Sequence, residues 1–315
     1  MAEKTFKTYD ELIELLRSRN MDIPDGAPRK KAKILLQREG YYNIVNGYKD
    51  PFLTSTTPEE YKDGTTLDEL FALYAFDRSI RDIFLRATLH IETNIKNLIS
   101  YTFSSQYGHD NYLIYKNFDT TKSNASKNIS NLISSVQGQI ASRSSDPNIA
   151  HYLKKHGYIP MWVLNTILTF GNMSKFYSNM KQKDRQDVAR VFCLQDNTLE
   201  NFLNYLSTIR NFSAHGNRLY CFKSSKALSD TAIHDNLSIP KINGHYVYGR
   251  NDLFGAVIIL RYLLSYREYK YFQSELNGAI NKLSRKLTAI TIDDVLSEMG
   301  FPSNWKDIKK RDIKK

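Results

Sequence analysis

Apolar residues recur at three- and four-residue spacing through several long stretches of the chain, the pattern of helices with one buried stripe. The clearest case is TTLDELFALYAFDRSIRDIFLRATLHIETNIKNLISYTF at 65–103, where Leu70, Leu73, Tyr74, Ile80, Phe84, Ile91, Ile95 and Leu98 keep that period. Thr66 with Glu69 three positions later predicts a capping box at its start. A helix this long predicts the spine of a helical bundle. TYDELIELLRSRN at 8–20 reads as a short amphipathic helix with Asp10 near its start, and a second helix begins near Pro28 and breaks at Gly40. A Ser- and Asn-rich tract at 117–148 predicts a mobile loop leading into a polar helix.

The stretch 157–180 is helical with a break at Gly171, and 197–220 is another helix, capped by Asn197 or Thr198. IPKINGHYVYGR at 239–250 is the only candidate hairpin, and 252–266 is helical and partly buried all round. No internal repeat is visible. The expected fold is all-α, in three parts. Residues 1–64 form a basic, aromatic helical extension. Residues 65–290 form the main helical domain, with a polar helical insertion at about 105–157. Residues 291–315 form a last helix and a basic tail.

Charge adds a partner to this picture. The 44 Lys and Arg outnumber the 33 Asp and Glu, giving +11, which favours a polyanion. Lys30, Lys31, Lys33 and Arg38 sit beside Tyr41, Tyr42 and Tyr48. Cations mixed with rings suit an RNA-facing surface; a solvated helix face over packed tyrosines is the alternative. Cys193 and Cys221 are too few for a zinc site or a disulfide framework, which suits a reducing compartment. No apolar run is long enough to span a membrane, and the acid-interrupted start is unlike a signal peptide, so a cytoplasmic protein is expected. His151 and His156 have no acid or Cys placed to complete a metal site, and no glycine-rich phosphate loop is present. No metal and no cofactor is therefore expected. Ser213 lacks the elbow and acid of a hydrolase triad, and Trp162 and Trp305 are expected in the core.

The distinctive stretch is RNFSAHGNRLY at 210–220. At about 100° per residue, Glu92 falls within roughly 20° of Leu85 and Ile99, and Arg210 within about 20° of Leu199 and Leu203. Both point at the core. A lone buried charge costs several kcal/mol, so the economical packing pairs Glu92 with Arg210. A plain ion pair that fixes helix register would satisfy this. A site is the other reading, and it needs the helix to end before Gly216, because Arg210 and His215 lie about 140° apart on an ideal helix. A His freed at a helix end beside a Glu-held Arg can act on a phosphate. RNA brings its own nucleophile, the 2′-hydroxyl. His215 would move protons and Arg210 would grip phosphate oxygens. Asn211 would orient either partner, Glu92 would support Arg210, and Arg218 would contact phosphate or serve as a helix-end cation.

At these residues the chain resembles the Abi-like (AbiD/AbiF) abortive-infection proteins of the HEPN superfamily. The shared signature is an Arg, four to six residues, then His; here Arg210, Asn211 and His215. GYYNIVNGYKDPF at 40–52, LYAFDRSIRDIFLRATLHIETNIK at 73–96, PMWVLNTILTFGNMSKFY at 160–177 and MGFPSNW at 299–305 resemble further family segments, in order. Relatives often carry Glu where this chain has Asn165, and a polar residue, often His, where it has Gly216. The resemblance implies a HEPN-type bundle and a metal-independent endoribonuclease giving 2′,3′-cyclic phosphates. It also implies a homodimer, toxin–antitoxin or antiviral biology, and a structured small non-coding RNA as a further partner. A non-catalytic HEPN module that grips such an RNA is the alternative.

Overall fold

The computed structural model describes residues 5–308. The fold is all-α, with two small antiparallel hairpins. α1 (Tyr9–Arg17) and α2 (Ala27–Glu39) lead into a π-helical turn (Tyr42–Asn46) and a hairpin of β1 (Leu53–Thr56) and β2 (Glu59–Tyr61). This first hairpin has no strong period-2 apolar signal, and the sequence reading placed a single hairpin elsewhere. The expected one is present as β3 (Lys241–Ile242) and β4 (His245–Tyr246).

α3 (Leu67–Tyr107) is the spine, about 60 Å long at 1.5 Å per residue. Thr66 Oγ1 accepts from the Glu69 amide, 3.3 Å away, but the expected capping box is not closed. Glu69 is buried, and its carboxylate accepts from the Thr288 and Ala289 amides instead, tying the far end of the chain to the start of α3. The polar stretch after α3 holds α4 (Ala125–Ser142), which buries Ile129, Leu132 and Val136, and α5 (Pro147–His156).

α6 (Met161–Ile167) and α7 (Phe170–Asn179) meet at Leu168 and Thr169, not at Gly171. Thr169 and Asn172 cap each other reciprocally, so the helix restarts at Phe170 and Gly171 falls inside its first turn. α8 (Gln182–Arg190) precedes α9 (Asp196–Ala214), and the short α10 (Ala232–Asn236) follows. α9 begins ahead of the expected caps, so Asn197 and Thr198 lie within its first turn. Its start is held by charge. Buried Arg185 donates to Asp196 Oδ2 from Nη2 at 3.0 Å and to the Met180 carbonyl from Nη1 at 2.7 Å. The Tyr177 hydroxyl donates to the Arg185 and Asp196 carbonyls.

α3 packs against α9, α12 (Tyr266–Ser284) and α6. Ile91, Ile95, Ile99 and Phe103 of α3 and Leu199, Phe202, Leu203, Leu206 and Ile209 of α9 are fully buried or nearly so. α11 (Leu253–Leu263), almost wholly buried, closes the core behind α9. Trp305 is in the core as expected, stacked edge-on against Phe301. Trp162 is not: it is 55% exposed, because α6 presents Met161, Leu164 and Asn165 inward and turns position 162 away. Among the described residues no helix is long and apolar enough to cross a membrane.

MGFPSNW acts in packing. Gly300 sits at φ +77° with its α-carbon against Asp252; an added Cβ would lie 2.1 Å from Asp252 Cγ, so no side chain fits. Asp252 caps α11 and accepts from the Gly249 and Gly255 amides. Burial pushes its carboxyl up to about 6. Between about pH 4 and 6 the folded protein therefore holds a proton there that the unfolded chain, with an ordinary carboxyl near 3.9, has released. Stability from this group is full below about pH 4 and is lost as pH rises through about 6, by up to about 3 kcal/mol. Buried His234, hydrogen-bonded to Thr231 and Gly249, is shifted down by burial and works in the opposite sense, losing stability as pH falls. Asp252→Asn keeps an N-cap side chain. Urea melts at pH 4.5 and 7 should show that this variant lacks the component of stability that the natural protein loses between those two values. An unchanged difference would contradict the assignment.

Candidate active site and adjoining pocket

One face of α3 carries Asp77, Arg81, Glu92 and Lys96 within about 100° of each other. α9 and the segment after it pack on this face. Glu92 is buried and bridges two cations: its Oε1 is 2.8 Å from Lys96 Nζ, and its Oε2 is 3.4 Å from Arg210 Nε. The Arg210 contact lacks hydrogen-bond geometry, and both atoms are buried without another partner, so the attraction is Coulombic. Arg210 points inward yet stays 27% exposed at its side chain, so its guanidinium sits at the margin of the core. Lys96 was not anticipated. Its signal was in the chain, four residues after Glu92 on the same helix face. Buried Asn165 donates from Nδ2 to the Lys96 carbonyl at 2.9 Å and holds α6 to this point of α3.

α9 ends where the site reading requires. Gly216 takes φ +73°, and the Asn217 amide reaches back to the Phe212 carbonyl, the closure of a Schellman motif. His215 is the last residue of the turn; its amide bonds to the Asn211 carbonyl, and its ring is exposed. Asn211 is exposed, and its side chain bonds to neither Arg210 nor His215 among the described residues.

A second acid fixes the next residues. Asp77 is fully buried. Its Oδ1 accepts from the Leu219 amide at 2.9 Å and the Tyr220 amide at 2.7 Å; its Oδ2 accepts from the Tyr48 hydroxyl at 2.7 Å and pairs with Arg81. Burial holds this carboxyl above its ordinary range despite Arg81. One side chain thus joins α3, the aromatic segment at 41–48 and the chain after α9. Sequence reasoning missed it because two of its partners are backbone amides, which leave no trace in residue type.

The expected RNA-binding residues separate. Tyr48 offers no open ring face: it is 3% exposed, stacked on Tyr220, and its hydroxyl is spent on Asp77, though it lines the pocket described below. Tyr41 is half-buried against the core, while Tyr42 is 78% exposed. On α2, Lys31 pairs with Asp68 and Lys33 with Asp10, whereas Lys30 and Arg38 are exposed with no carboxylate partner among the described residues. Arg218 is exposed, and its Nη1 donates to the Gly47 carbonyl at 2.7 Å. That contact helps build a pocket of about 360 Å³ lined by Tyr42, Asn46, Tyr74, Arg81, Gly216 and Arg218. Among the described residues no three His, Cys, Asp or Glu side chains are placed to hold a metal, and both cysteines are free.

A family model described as Abi-like protein matches residues 34–221. The chain belongs to the Abi-like protein family. No curated protein and no solved structure matches it. Membership suggests a part in abortive infection, bacterial defence against phage. In this Abi-like chain the matched span runs from within α2 to just past the two amides held by Asp77, so it contains the Glu92–Arg210 pair, His215 and the pocket.

Glu92→Gln should leave Lys96 and Arg210 facing each other without a carboxylate. Loss of a buried partner costs about 3–5 kcal/mol; partial exposure of Arg210 reduces this to about 2 kcal/mol. A double-mutant cycle with Lys96→Met, read by urea unfolding, should give a coupling above about 0.5 kcal/mol. Strict additivity would mean the bridge contributes nothing.

Proposed function

We propose that this Abi-like protein is a metal-independent endoribonuclease that acts as a toxin in phage defence. The observation that carries the reading is the end of α9: an Arg held at the core margin by an acid, and one turn later an exposed His on a helix stopped by glycine. His is the side chain whose ordinary titration range spans neutral pH. In the proposed reaction His215 takes the proton of a 2′-hydroxyl, O2′ attacks the adjacent phosphorus, and the P–O5′ bond breaks. A proton returns to O5′, leaving a 2′,3′-cyclic phosphate and a 5′-hydroxyl. Arg210 neutralises charge on the phosphorane, Glu92 keeps Arg210 extended, and Asn211 steadies the phosphate. The resemblance to HEPN proteins adds a homodimer, in which the His of a second copy donates the proton to O5′. It also adds a structured small RNA, for which exposed Lys30 and Arg38 offer phosphate contacts. A second reading, a module that grips RNA without cutting it, is favoured by the pocket beside Gly216, which needs no chemistry at His215.

Protein freed of nucleic acid and incubated with total cellular RNA in EDTA should cut it. His215→Ala should slow cutting by about 10²–10⁴-fold, the usual worth of a general acid or base. Cutting that persists in the variant, or that stops in EDTA, would reject the mechanism. Intact RNA with tight binding in both proteins would establish the module.

A further inference from the structure

We propose that the pocket between the π-helical turn and the segment after α9 receives one unpaired RNA base at the end of α9, next to the residue His215. The position of the cut rests on the nuclease reading; binding of the base does not.

The pocket, at about 360 Å³, lies within the roughly 300–1,000 Å³ of small-ligand clefts. Its walls supply three kinds of contact. Tyr42, 78% exposed, offers a ring face on which a base can stack. Asn46 lines the pocket half-buried, and its side-chain amide has no partner among the described residues. An amide presents a donor and an acceptor side by side, which matches a base edge bidentately, as Asn does with adenine. Arg218 is steered by the Gly47 carbonyl and meets no carboxylate among the described residues, so its charge is free for a phosphate. Unpaired RNA is the form that exposes both ring faces and base edges to such groups.

The remaining walls are fixed. Tyr74 donates its hydroxyl to Glu39 at 2.9 Å, and Arg81 is committed to Asp77. Asp77 also holds the chain at 219–220 and Tyr48 beneath the pocket, so the cleft exists before any ligand arrives. Gly216 lines it, and the α-carbon of His215 is about 3.8 Å further along the chain. A base seated there brings its own phosphate to the end of α9.

The test is equilibrium binding of the four nucleoside 5′-monophosphates to the full chain, by titration calorimetry. One of them, with AMP the first expectation, should bind at least fivefold tighter than the weakest. Tyr42→Ala should weaken all four by about tenfold, and Asn46→Ala should erase the differences among them. Tyr42 is exposed and Asn46 lies on the wall of an open pocket, and matching thermal melts will show that the variants fold. Where wild type cuts RNA, the mapped ends should share one base next to the cut, and Asn46→Ala should flatten that preference. Equal binding of all four nucleotides by wild type, or variants that bind like wild type, overturns the proposal. Failure of the nuclease reading shows separately, as cutting indifferent to His215→Ala, and leaves these binding constants standing.

Discussion

Buried carboxylates on α3 decide where the end of α9 can go. Asp77 and Glu92 lie about 22 Å apart along the helix and about 60° apart around it, both inside the core. Neither can be left unpaired, because an uncompensated buried charge costs several kcal/mol. Glu92 meets its need with side chains, Lys96 and Arg210; Asp77 meets it with two backbone amides, a tyrosine and Arg81. Each solution pins a different part of the 210–220 stretch, one before the helix stop and one after it. His215 and Gly216 lie between the two pins. The residues the proposed chemistry needs are therefore exposed but spanned, which is how a rigid site can sit on what would otherwise be a loose helix terminus.

How much of this was legible depends on the kind of interaction. Periodicity located the spine and α9, and the helical wheel turned Glu92 and Arg210 inward, because apolar spacing reports burial directly. The stop at Gly216 followed from the left-handed backbone that glycine accepts. Features set by backbone partners were not legible. Asp77 looked like one more charge on a long helix, and Glu69 looked like half of a capping box, though its carboxylate serves amides more than two hundred residues away. Tyr41, Tyr42 and Tyr48 look interchangeable as a list. Tyr42, in a π-helical turn that no simple period announces, faces solvent, while Tyr48, just past that turn, is in the core. Trp162 failed for a related reason: on a helix of only seven residues, the apolar face is too short to show which side is buried.

The net charge of +11 is less evenly available than composition suggests. The basic helix α2 spends Lys31 on Asp68, Lys33 on Asp10 and Arg29 on Asp10 and Glu14. Exposed pairs of this kind contribute little to stability, but they cancel the local field that would attract RNA. Where α9 packs on α3 the balance differs. Lys96 and Arg210 share the single carboxylate of Glu92, which leaves one positive charge in excess. Arg218 adds a second, held by a carbonyl that neutralises nothing.

Positive charge in excess is costly in a fold unless something uses it, since like charges brought together repel. Here one part of the excess lies at the Glu92 bridge between α3 and α9, and another, Arg218, at the rim of the pocket. A carboxylate at position 165, the residue the chain's resemblance leads one to expect there, has no proton to donate to the Lys96 carbonyl. Asn165 keeps the packing bond to the Lys96 carbonyl without adding the negative charge. The chain thus retains the joint between α6 and α3, while Arg210 and Lys96 share the one carboxylate of Glu92. A phosphate at the end of α9 would be attracted by that imbalance, and it would meet an exposed imidazole on arrival.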